Sequence, residues 1–236
     1  QVGWWGHITG IFLFLNYLPY SKHFHIIMAF PNTYFSRLEP AGKFSNLGKV
    51  QEEVKAMLDP SYTPVEDEHT PQRFGAKDIT DLTWKNLMDA YSCTECGRCT
   101  SVCPANLTGK KLSPRKIVMD VRDRMEEVQK YKLKPNENGV LLPSNGVAGA
   151  DVAATHTLLG EHYITEEELL ACNTCNACVD ACPVNIDQVS VIVELRRHLV
   201  MEDSSMPEEW GIMFNNIENS GNPWGMPAAN RGNWME

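Results

Sequence analysis

Eight cysteines form two runs of identical spacing, and no cysteine lies outside them. The first run is Cys93-x-x-Cys96-x-x-Cys99-x-x-x-Cys103-Pro, and 79 residues later it recurs as Cys172-x-x-Cys175-x-x-Cys178-x-x-x-Cys182-Pro. Three thiolates at this spacing bind successive corners of a cubane iron–sulfur cluster, and a proline follows the fourth cysteine. The two runs therefore predict two [4Fe-4S] clusters.

The fourth cysteine of such a run ligates the other cluster in two-cluster ferredoxins. This swap assigns the first cluster to Cys93, Cys96, Cys99 and Cys182. It assigns the second cluster to Cys172, Cys175, Cys178 and Cys103. The exchange would tie the two halves of the domain together and keep the clusters close, which suits electron transfer.

Two structural zinc sites with four cysteine ligands each are the alternative. Zinc sites use pairs of C-x2-C knuckles separated by a longer loop, whereas here three evenly spaced cysteines precede a fourth, twice. Disulfides are disfavoured by the same grouping, which fits a redox protein that faces a reducing compartment. Iron and acid-labile sulfide content separates clusters from zinc.

Neither run contains a side chain placed as a catalytic acid, base or nucleophile. We therefore expect an electron-carrying oxidoreductase component whose residues here transform no substrate. Glu95 and Arg98 lie inside the first run. We interpret them as solvent-facing loop residues, and the alternative is that they tune the potential of a cluster.

Helix signals surround both runs. Thr83 is a candidate N-cap for a helix that reaches Tyr91, and Thr165 with Glu168 forms a capping-box pattern before Cys172. Ser113-Pro114 opens a helix with one apolar face, formed by Ile117, Val118, Val121, Met125 and Val128. After the second run, Asp187 is a candidate cap for a helix with Val189, Ile192, Val193 and Leu199 inward. The fold class predicted for residues 76–203 is mainly α, a helical two-cluster ferredoxin domain.

The first 35 residues hold ten of the 21 aromatic residues and one Lys or Arg, Lys22. The apolar stretch from Val2 to Leu18 would span about 26 Å as a helix, close to the thickness of a bilayer core. We therefore predict a transmembrane helix within residues 1–35, preceding the ferredoxin domain. Basic residues after it place the iron–sulfur domain on the cytoplasmic side of the cell inner membrane. A buried core helix is the alternative.

The remaining segments are a linker and an extension. Residues 36–75 contain Pro40, Pro60, Pro64 and Pro71 and predict a linker with one helix near Lys49–Leu58. Residues 204–236 predict a short helix and a C-terminal extension that leads to a domain absent from this chain. The formal net charge of −9 and the pI of about 5.3 argue against a nucleic-acid partner.

Two histidines of the apolar segment are candidate haem ligands. His7 and His25 are 18 residues apart, five turns of one helix, and would lie on one face about 27 Å apart along its axis. Such a pair suits a two-haem b-type cytochrome, because a histidine in a membrane segment is a functional candidate. An interfacial or hydrogen-bonded histidine is the alternative, and Pro19 between them should kink the helix.

The chain resembles fused membrane iron–sulfur oxidoreductases. Residues 76–236 resemble the iron–sulfur part of heterodisulfide reductase-related proteins, including the segment Gly221-Asn222-Pro223-Trp224-Gly225. Residues 1–35 are similar to the last transmembrane helix of the cytochrome b (gamma) subunit of respiratory nitrate reductase, through His7 and Leu18-Pro19-Tyr20-Ser21-Lys22-His23-Phe24-His25. The matching histidines bind haem b in that family, which implies His7 and His25 as haem b ligands.

This resemblance implies an electron relay. Electrons would pass between a soluble donor such as electron-transfer flavoprotein, the two clusters, haem b and a membrane quinone. The family's cytochrome b helices and its cysteine-rich domain would be further redox domains or subunits, since this chain contains no Cys-Cys pair. The alternatives are the iron–sulfur subunit of a glycerol-3-phosphate or succinate type of quinone-linked dehydrogenase, and a structural zinc-binding module.

Overall fold

A computed structural model of the chain describes residues 1–40, 42–63, 73–144 and 146–235, so Pro64 and Pro71 of the predicted linker lie outside the described residues. The chain divides into two compact units, Gln1–His198 and Leu199–Glu236. The first unit contains α1 (Val2–Tyr17), α2 (Phe24–Tyr34), α3 (Gly48–Leu58), α4 (Trp84–Ser92), α5 (Arg98–Ser101), α6 (Pro104–Leu107), α7 (Pro114–Lys130), α8 (Ala150–Thr155), α9 (Glu166–Leu170), α10 (Ala177–Asp180) and most of α11 (Gln188–Met201).

One short hairpin interrupts the helices. Strands β1 (Lys134–Pro135) and β2 (Leu141–Leu142) pair antiparallel, with Lys134 opposite Leu142. The side chain of Asn136 holds the turn, because its Oδ1 accepts hydrogen bonds from the amides of Asn138 and Val140. The mainly helical part of the predicted fold class is confirmed.

The transmembrane part of that prediction is wrong. Helix α1 has 16 residues, and no helix in the described ranges has both the length and the apolar content to cross a bilayer. Helix α1 ends because Pro19 has no amide hydrogen to continue the ladder. The chain then forms a short 3₁₀ turn, Leu18–Tyr20, and Ser21 adopts an extended conformation before α2 begins.

Helix α2 packs against α4, which leads into the first cysteine run. The hydroxyl of Ser92 donates to the carbonyl of Met28 over 3.1 Å, and the buried amide of Asn32 donates to the carbonyl of Val184 over 2.9 Å. The Lys85 ammonium in turn donates to Asn32 Oδ1 over 2.9 Å. Residues of the apolar N-terminal segment are therefore joined to both halves of the cysteine-rich region.

Helices α4, α7 and α11 begin where the sequence signals predict. The side chains of Thr83 and Ser113 accept hydrogen bonds from the third amides of α4 and α7, and Asp187 accepts one from Ser190 in α11. Each cap satisfies an amide that has no partner within its helix. The apolar faces of α7 and α11 then contribute to the core, with buried Ile117, Val118, Val121, Val189, Val191, Ile192, Leu195 and Leu199.

The segment before α4 approaches α11 so closely that residue 75 must be glycine. Gly75 has φ +69°, and a Cβ there would overlap the carbonyl oxygen of Glu194 and lie 2.5 Å from the amide nitrogen of His198. The next residue, Ala76, donates its amide to that same carbonyl over 2.9 Å. The backbones therefore meet without room for a side chain.

We expect Gly75→Ala to lower the free energy of unfolding by about 2–4 kcal/mol, because it adds an overlap to the strain of a positive φ. Gly109→Ala is the matched control, since Gly109 also has a positive φ (+82°) but nothing within 4 Å of its Cβ position. Thermal unfolding of anaerobically purified protein measures both. Equal losses in the two variants would contradict the close approach at Gly75.

The second unit contains the end of α11 and helix α12 (Glu208–Ser220). Gly221 ends α12 with φ +65°. The amide of Asn216 then donates to the carbonyl of Pro223, and Asn222 Oδ1 accepts from the amides of Trp224 and Met226. A 3₁₀ helix over Ala228–Met235 closes this unit.

Candidate cluster-binding site

The two cysteine loops have the same backbone conformation. Glu95 (φ +55°) and Gly97 (φ +78°) flank Cys96, and their counterparts 79 residues later, Thr174 (φ +51°) and Asn176 (φ +62°), flank Cys175. Two left-handed residues in each loop curl the chain into a tight concave turn. The sequence repeat is therefore a structural repeat, although only one of the four left-handed positions is a glycine.

Amides in these turns point at sulfur atoms. The Thr174 amide donates to Cys172 Sγ over 3.3 Å, and the Ile186 amide donates to Cys182 Sγ over 3.4 Å. The pKa of Cys96 is lowered, chiefly because the amide of Arg98 donates to its sulfur. Hydrogen bonds of this kind favour thiolate, the form that ligates iron.

The second set of predicted ligands lines one pocket. Cys103, the last cysteine of the first run, lies there with Cys172, Cys175 and Cys178. The other walls are mainly apolar and include Pro104, Ala105, Leu112, Pro114, Val189 and Ile192. Four sulfur ligands in a mainly apolar pocket fit an iron–sulfur cluster, because soft thiolates are its usual ligands.

Sulfurs of the first set of predicted ligands lie close enough for thiolate charges there to repel one another. Cys93 interacts with Cys99 and Cys182, and Cys99 interacts with Cys182 and Cys96. Cys182, the last cysteine of the second run, thus lies near cysteines of the first run. Cys103 likewise lies near Cys172 and Cys178 of the second run.

Burial shapes the acid–base behaviour of the thiols. It raises the pKa of Cys93, Cys99 and Cys172 above the ordinary value, and it raises that of Cys178 to about 12. Neighbouring sulfurs repel one another as thiolates and add to this effect. These thiols are therefore protonated at neutral pH without metal, and binding iron must release their protons.

The third cysteines of the two runs meet between the sets. Cys99 and Cys178 form one buried cluster with Val189, and Val179 and Val193 pack against it. Helices α5 and α10, which begin just before these two cysteines, contact each other. The two ligand sets therefore adjoin in a packed, apolar part of the protein.

The two predicted haem ligands lie on different helices. His7 is exposed on α1, and His25 is half-buried in the first turn of α2, so the single helical face expected from their spacing is interrupted. The ring Nδ1 of His25 lies 2.8 Å from the carbonyl oxygen of Lys22. A tautomer that donates there leaves Nε2 available for a metal. Haem ligation by His7 and His25 stays a prediction.

Glu127, His156 and His162 form another group of ligand-type side chains, with ligand atoms within 4.8 Å of one another. Oε2 of Glu127 already accepts from Tyr163 over 2.8 Å and from Arg124 over 2.5 Å. The imidazoles stack 3.9 Å apart at 15°, so their nitrogen lone pairs lie in nearly parallel planes and do not converge on one ion. We interpret this group as part of a structural hydrogen-bond network.

Sequence reasoning missed the partner of Glu95. The Glu95 side chain is 27% exposed and its carboxylate lies 2.9 Å from the guanidinium of Arg122 on α7. Arg98, by contrast, is exposed, as the sequence interpretation expected. The pairing of Glu95 could not be read from its neighbours in sequence, since Arg122 is 27 positions away.

A charged network supports the start of the second loop. The Lys116 ammonium contacts Asp120 over 2.7 Å and Glu168 over 3.0 Å, and Glu168 completes the predicted capping box with Thr165 at the start of α9. Burial raises the pKa of Asp120 to about 6 despite the opposing effect of Lys116. Asp120 therefore binds its proton more tightly in the folded than in the unfolded chain.

A raised folded-state pKa gives stability that is lost as pH rises through that value. Between pH 5 and pH 7.5 we expect the wild-type protein to lose about 1–2 kcal/mol of unfolding free energy relative to Asp120→Asn. Urea unfolding of both proteins at the two pH values measures this change, and the effects of titrating groups present in both proteins cancel in the comparison. If the difference in unfolding free energy between the two proteins were the same at both pH values, the raised pKa of Asp120 would be contradicted.

The comparisons with known proteins agree with the ligand chemistry. Residues 92–186 match the family model of a 4Fe-4S dicluster domain, and residues 60–108 match a second model with the same description. The eight cysteines and these matches confirm the two [4Fe-4S] clusters. None of the solved structures significantly matches the chain.

Three curated relatives align over most or all of the chain. It is 34% identical, over its whole length, to the probable iron-sulfur-binding oxidoreductase FadF of Bacillus subtilis, of which it covers 33%. It is 31% identical over 99% of its length to the EtfAB:quinone oxidoreductase of Syntrophomonas wolfei, covering 31%. It is 33% identical over 68% of its length to a probable membrane-anchored ferredoxin of Chromohalobacter salexigens, covering 24%. The chain thus spans a third or less of the length of these relatives.

Further relatives are subunits of heterodisulfide reductases from Methanosarcina species. The predicted resemblance to heterodisulfide reductase-related iron–sulfur oxidoreductases is confirmed by these matches. They show no likeness of residues 1–35 to the nitrate reductase gamma subunit, and that resemblance stays a prediction. The homologues of this chain are iron–sulfur proteins of electron transfer.

Proposed function

We propose that this chain is the electron-relay segment of a quinone-linked iron–sulfur oxidoreductase. Each [4Fe-4S] cluster, when bound, accepts and donates a single electron. The residues of this chain hold two such groups and set their separation. Substrate chemistry and quinone chemistry would take place in other segments or subunits.

The observation that carries this proposal is the buried contact between the two ligand sets. Cys99 of the first set and Cys178 of the second belong to one apolar cluster with Val189. Packed side chains exclude water there, which keeps the local environment of both sites rigid during a change of charge. A protein that needed metal only to hold its fold would gain nothing from joining two sites in this way.

Electron-transfer flavoprotein is the donor we propose. A relative aligned over 99% of the chain carries the name EtfAB:quinone oxidoreductase, and this chain supplies the two-cluster portion of such an arrangement. The acceptor side would be a membrane quinone, reached through cytochrome b helices of another segment or subunit. His7 and His25 remain the proposed haem b ligands of this chain. The iron–sulfur domain would then lie on the cytoplasmic side of the cell inner membrane.

Anaerobic mixing of the protein with enzymatically reduced electron-transfer flavoprotein tests the donor. We expect the cluster absorbance to bleach by an amount that corresponds to about two electrons per chain. The control is the same flavoprotein with the single-cluster variant Cys103→Ala, which should accept about one electron.

Bleaching by a reduced glycerol-3-phosphate or succinate dehydrogenase flavoprotein, and none by electron-transfer flavoprotein, would replace the proposed donor by the alternative one. Absence of bleaching by any flavoprotein, in protein that dithionite still reduces, would overturn the relay proposal itself. Iron, sulfide and zinc content of the same preparation establishes beforehand that both clusters are present.

A further inference from the structure

The two halves also resemble each other in α7 and α11, when residues are counted from the start of each helix and not at the 79-residue spacing of the cysteines. Counted from the first residue of each helix, the fourth and eighth residues are buried in both: Ile117 and Val121 in α7, Val191 and Leu195 in α11. The ninth residue is arginine in both helices, Arg122 in α7 and Arg196 in α11. Equivalent arginines therefore occupy equivalent places in the two halves.

Each arginine lies beside the start of one cysteine run. Arg122 pairs over 2.9 Å with Glu95, two residues after Cys93, and the half-buried Arg196 lies against the backbone of Cys172. Arg196 Nη2 also donates to the carbonyl oxygen of Cys172 over 2.5 Å, and its Nε donates to Leu169 O over 2.8 Å. The guanidinium is thus fixed against the backbone of the second loop.

The two arginines differ in their counter-charge. Arg122 forms an ion pair with Glu95 over 2.9 Å and lies 3.8 Å from Asp123, with further attraction from Glu126. In the second half the position of Glu95 is occupied by Thr174, with the same left-handed backbone.

Within the described ranges, no carboxylate lies within ion-pair distance of Arg196. Among the described residues its guanidinium is met by the carbonyl oxygens of Leu169 and Cys172 and by the nearby sulfur of Cys172. The arginine at the first site is therefore compensated by a carboxylate, and its equivalent at the second site is not.

Other cations near the first site have less effect. Arg98 lies beside Cys96, and Arg115 and Lys22 act on Glu95, but all three side chains are exposed. Water and salt screen exposed charges strongly, whereas a half-buried charge in contact with a ligand loop is screened much less. Arg122, Glu95 and Arg196 are thus the charges that distinguish the two sites most.

We propose that Arg196 raises the reduction potential of the second cluster above that of the first, where Glu95 cancels the equivalent charge of Arg122. A cluster gains one negative charge on reduction, and an uncompensated buried cation stabilises that charge. An electron that enters the pair therefore settles on the cluster held by Cys103, Cys172, Cys175 and Cys178. This proposal rests on the presence of the two clusters and not on the identity of the electron donor. The potential difference and the proposed donor can therefore fail independently of each other.

An EPR-monitored redox titration of the anaerobic protein tests this. Single-cluster variants, Cys103→Ala and Cys182→Ala, assign the two signals. We expect Arg196→Gln to lower the potential of the second cluster and Glu95→Gln to raise that of the first. Each reduction equilibrium constant should change about tenfold, which is about 59 mV for a one-electron couple.

Three further variants separate charge from structural damage. Arg196→Lys keeps the charge and should keep most of the potential, whereas Thr174→Glu should lower the potential of the second cluster as Arg196→Gln does. Glu137→Gln removes one negative charge, as Glu95→Gln does, but on the exposed hairpin outside both cysteine runs. It should shift the potential of neither cluster. Unchanged potentials in both Arg196→Gln and Glu95→Gln, or equal losses in Arg196→Lys and Arg196→Gln, would overturn the proposal.

Discussion

Replacing Cys103 by alanine removes the second cluster and leaves the first, although Cys103 belongs to the first cysteine run. The physical reason is its position, because its buried side chain lines a pocket with Cys172, Cys175 and Cys178. A cubane with three of its four protein ligands is lost far more readily than one with all four. We expect about four irons and four sulfides per chain instead of about eight, with one EPR signal remaining.

Double variants make this test independent of folding defects in any single variant. Under the swapped assignment, Cys103→Ala combined with Cys172→Ala removes two ligands of the same cluster, so about four irons remain. Cys103→Ala combined with Cys93→Ala removes one ligand from each cluster, so both are lost. An unswapped arrangement predicts the opposite pair of outcomes, and iron analysis with EPR distinguishes them.

Replacing Arg124 by methionine is expected to cost about 3–5 kcal/mol of unfolding free energy, since it breaks a buried ion-pair network. The Arg124 side chain is fully buried and pairs with Asp78 over 2.8 Å and with Glu127 over 2.5 Å. It also donates to the carbonyl oxygens of Ala153, over 3.0 Å, and His156, over 2.6 Å. Methionine would leave two carboxylates and two carbonyls without these donors.

Arg115→Met is the matched control for this loss. Arg115 lies on the same helix but is exposed, so the same substitution should change the unfolding free energy by less than about 0.5 kcal/mol. Thermal and urea unfolding of the anaerobic proteins, with cluster absorbance recorded, measures both variants. A loss below about 1 kcal/mol in Arg124→Met would mean that the network contributes little beyond what apolar packing supplies.

The cysteine spacing determined the cofactors, because three ligands within seven residues constrain a loop whatever the rest of the chain does. Helix starts at Thr83, Ser113 and Thr165 were also predictable, since a cap and its helix interact over only three residues. The amino-acid sequence therefore specified the chemistry and the local structure next to it.

The tertiary structure decided the contacts that join distant residues. Asn32 reaches Val184 across 152 positions, and through it the apolar N-terminal segment joins the cysteine-rich region. The apolar composition of residues 1–35 suggested a membrane-spanning helix, but α1 stops after 16 residues where Pro19 interrupts the hydrogen bonding. Composition reports how many residues are apolar, whereas the length of a helix depends on an uninterrupted series of backbone hydrogen bonds.

The same division applies to the two cysteine loops. Their sequences reveal a repeat and two sets of four ligands. They do not reveal that Glu95 forms an ion pair with Arg122, whereas Arg196 has no carboxylate partner within the described ranges. Spacing along the chain determines which atoms can bind iron. Only the folding of α7 and α11 over the loops decides which charges lie beside each site, because those charges come from helices that are remote in sequence.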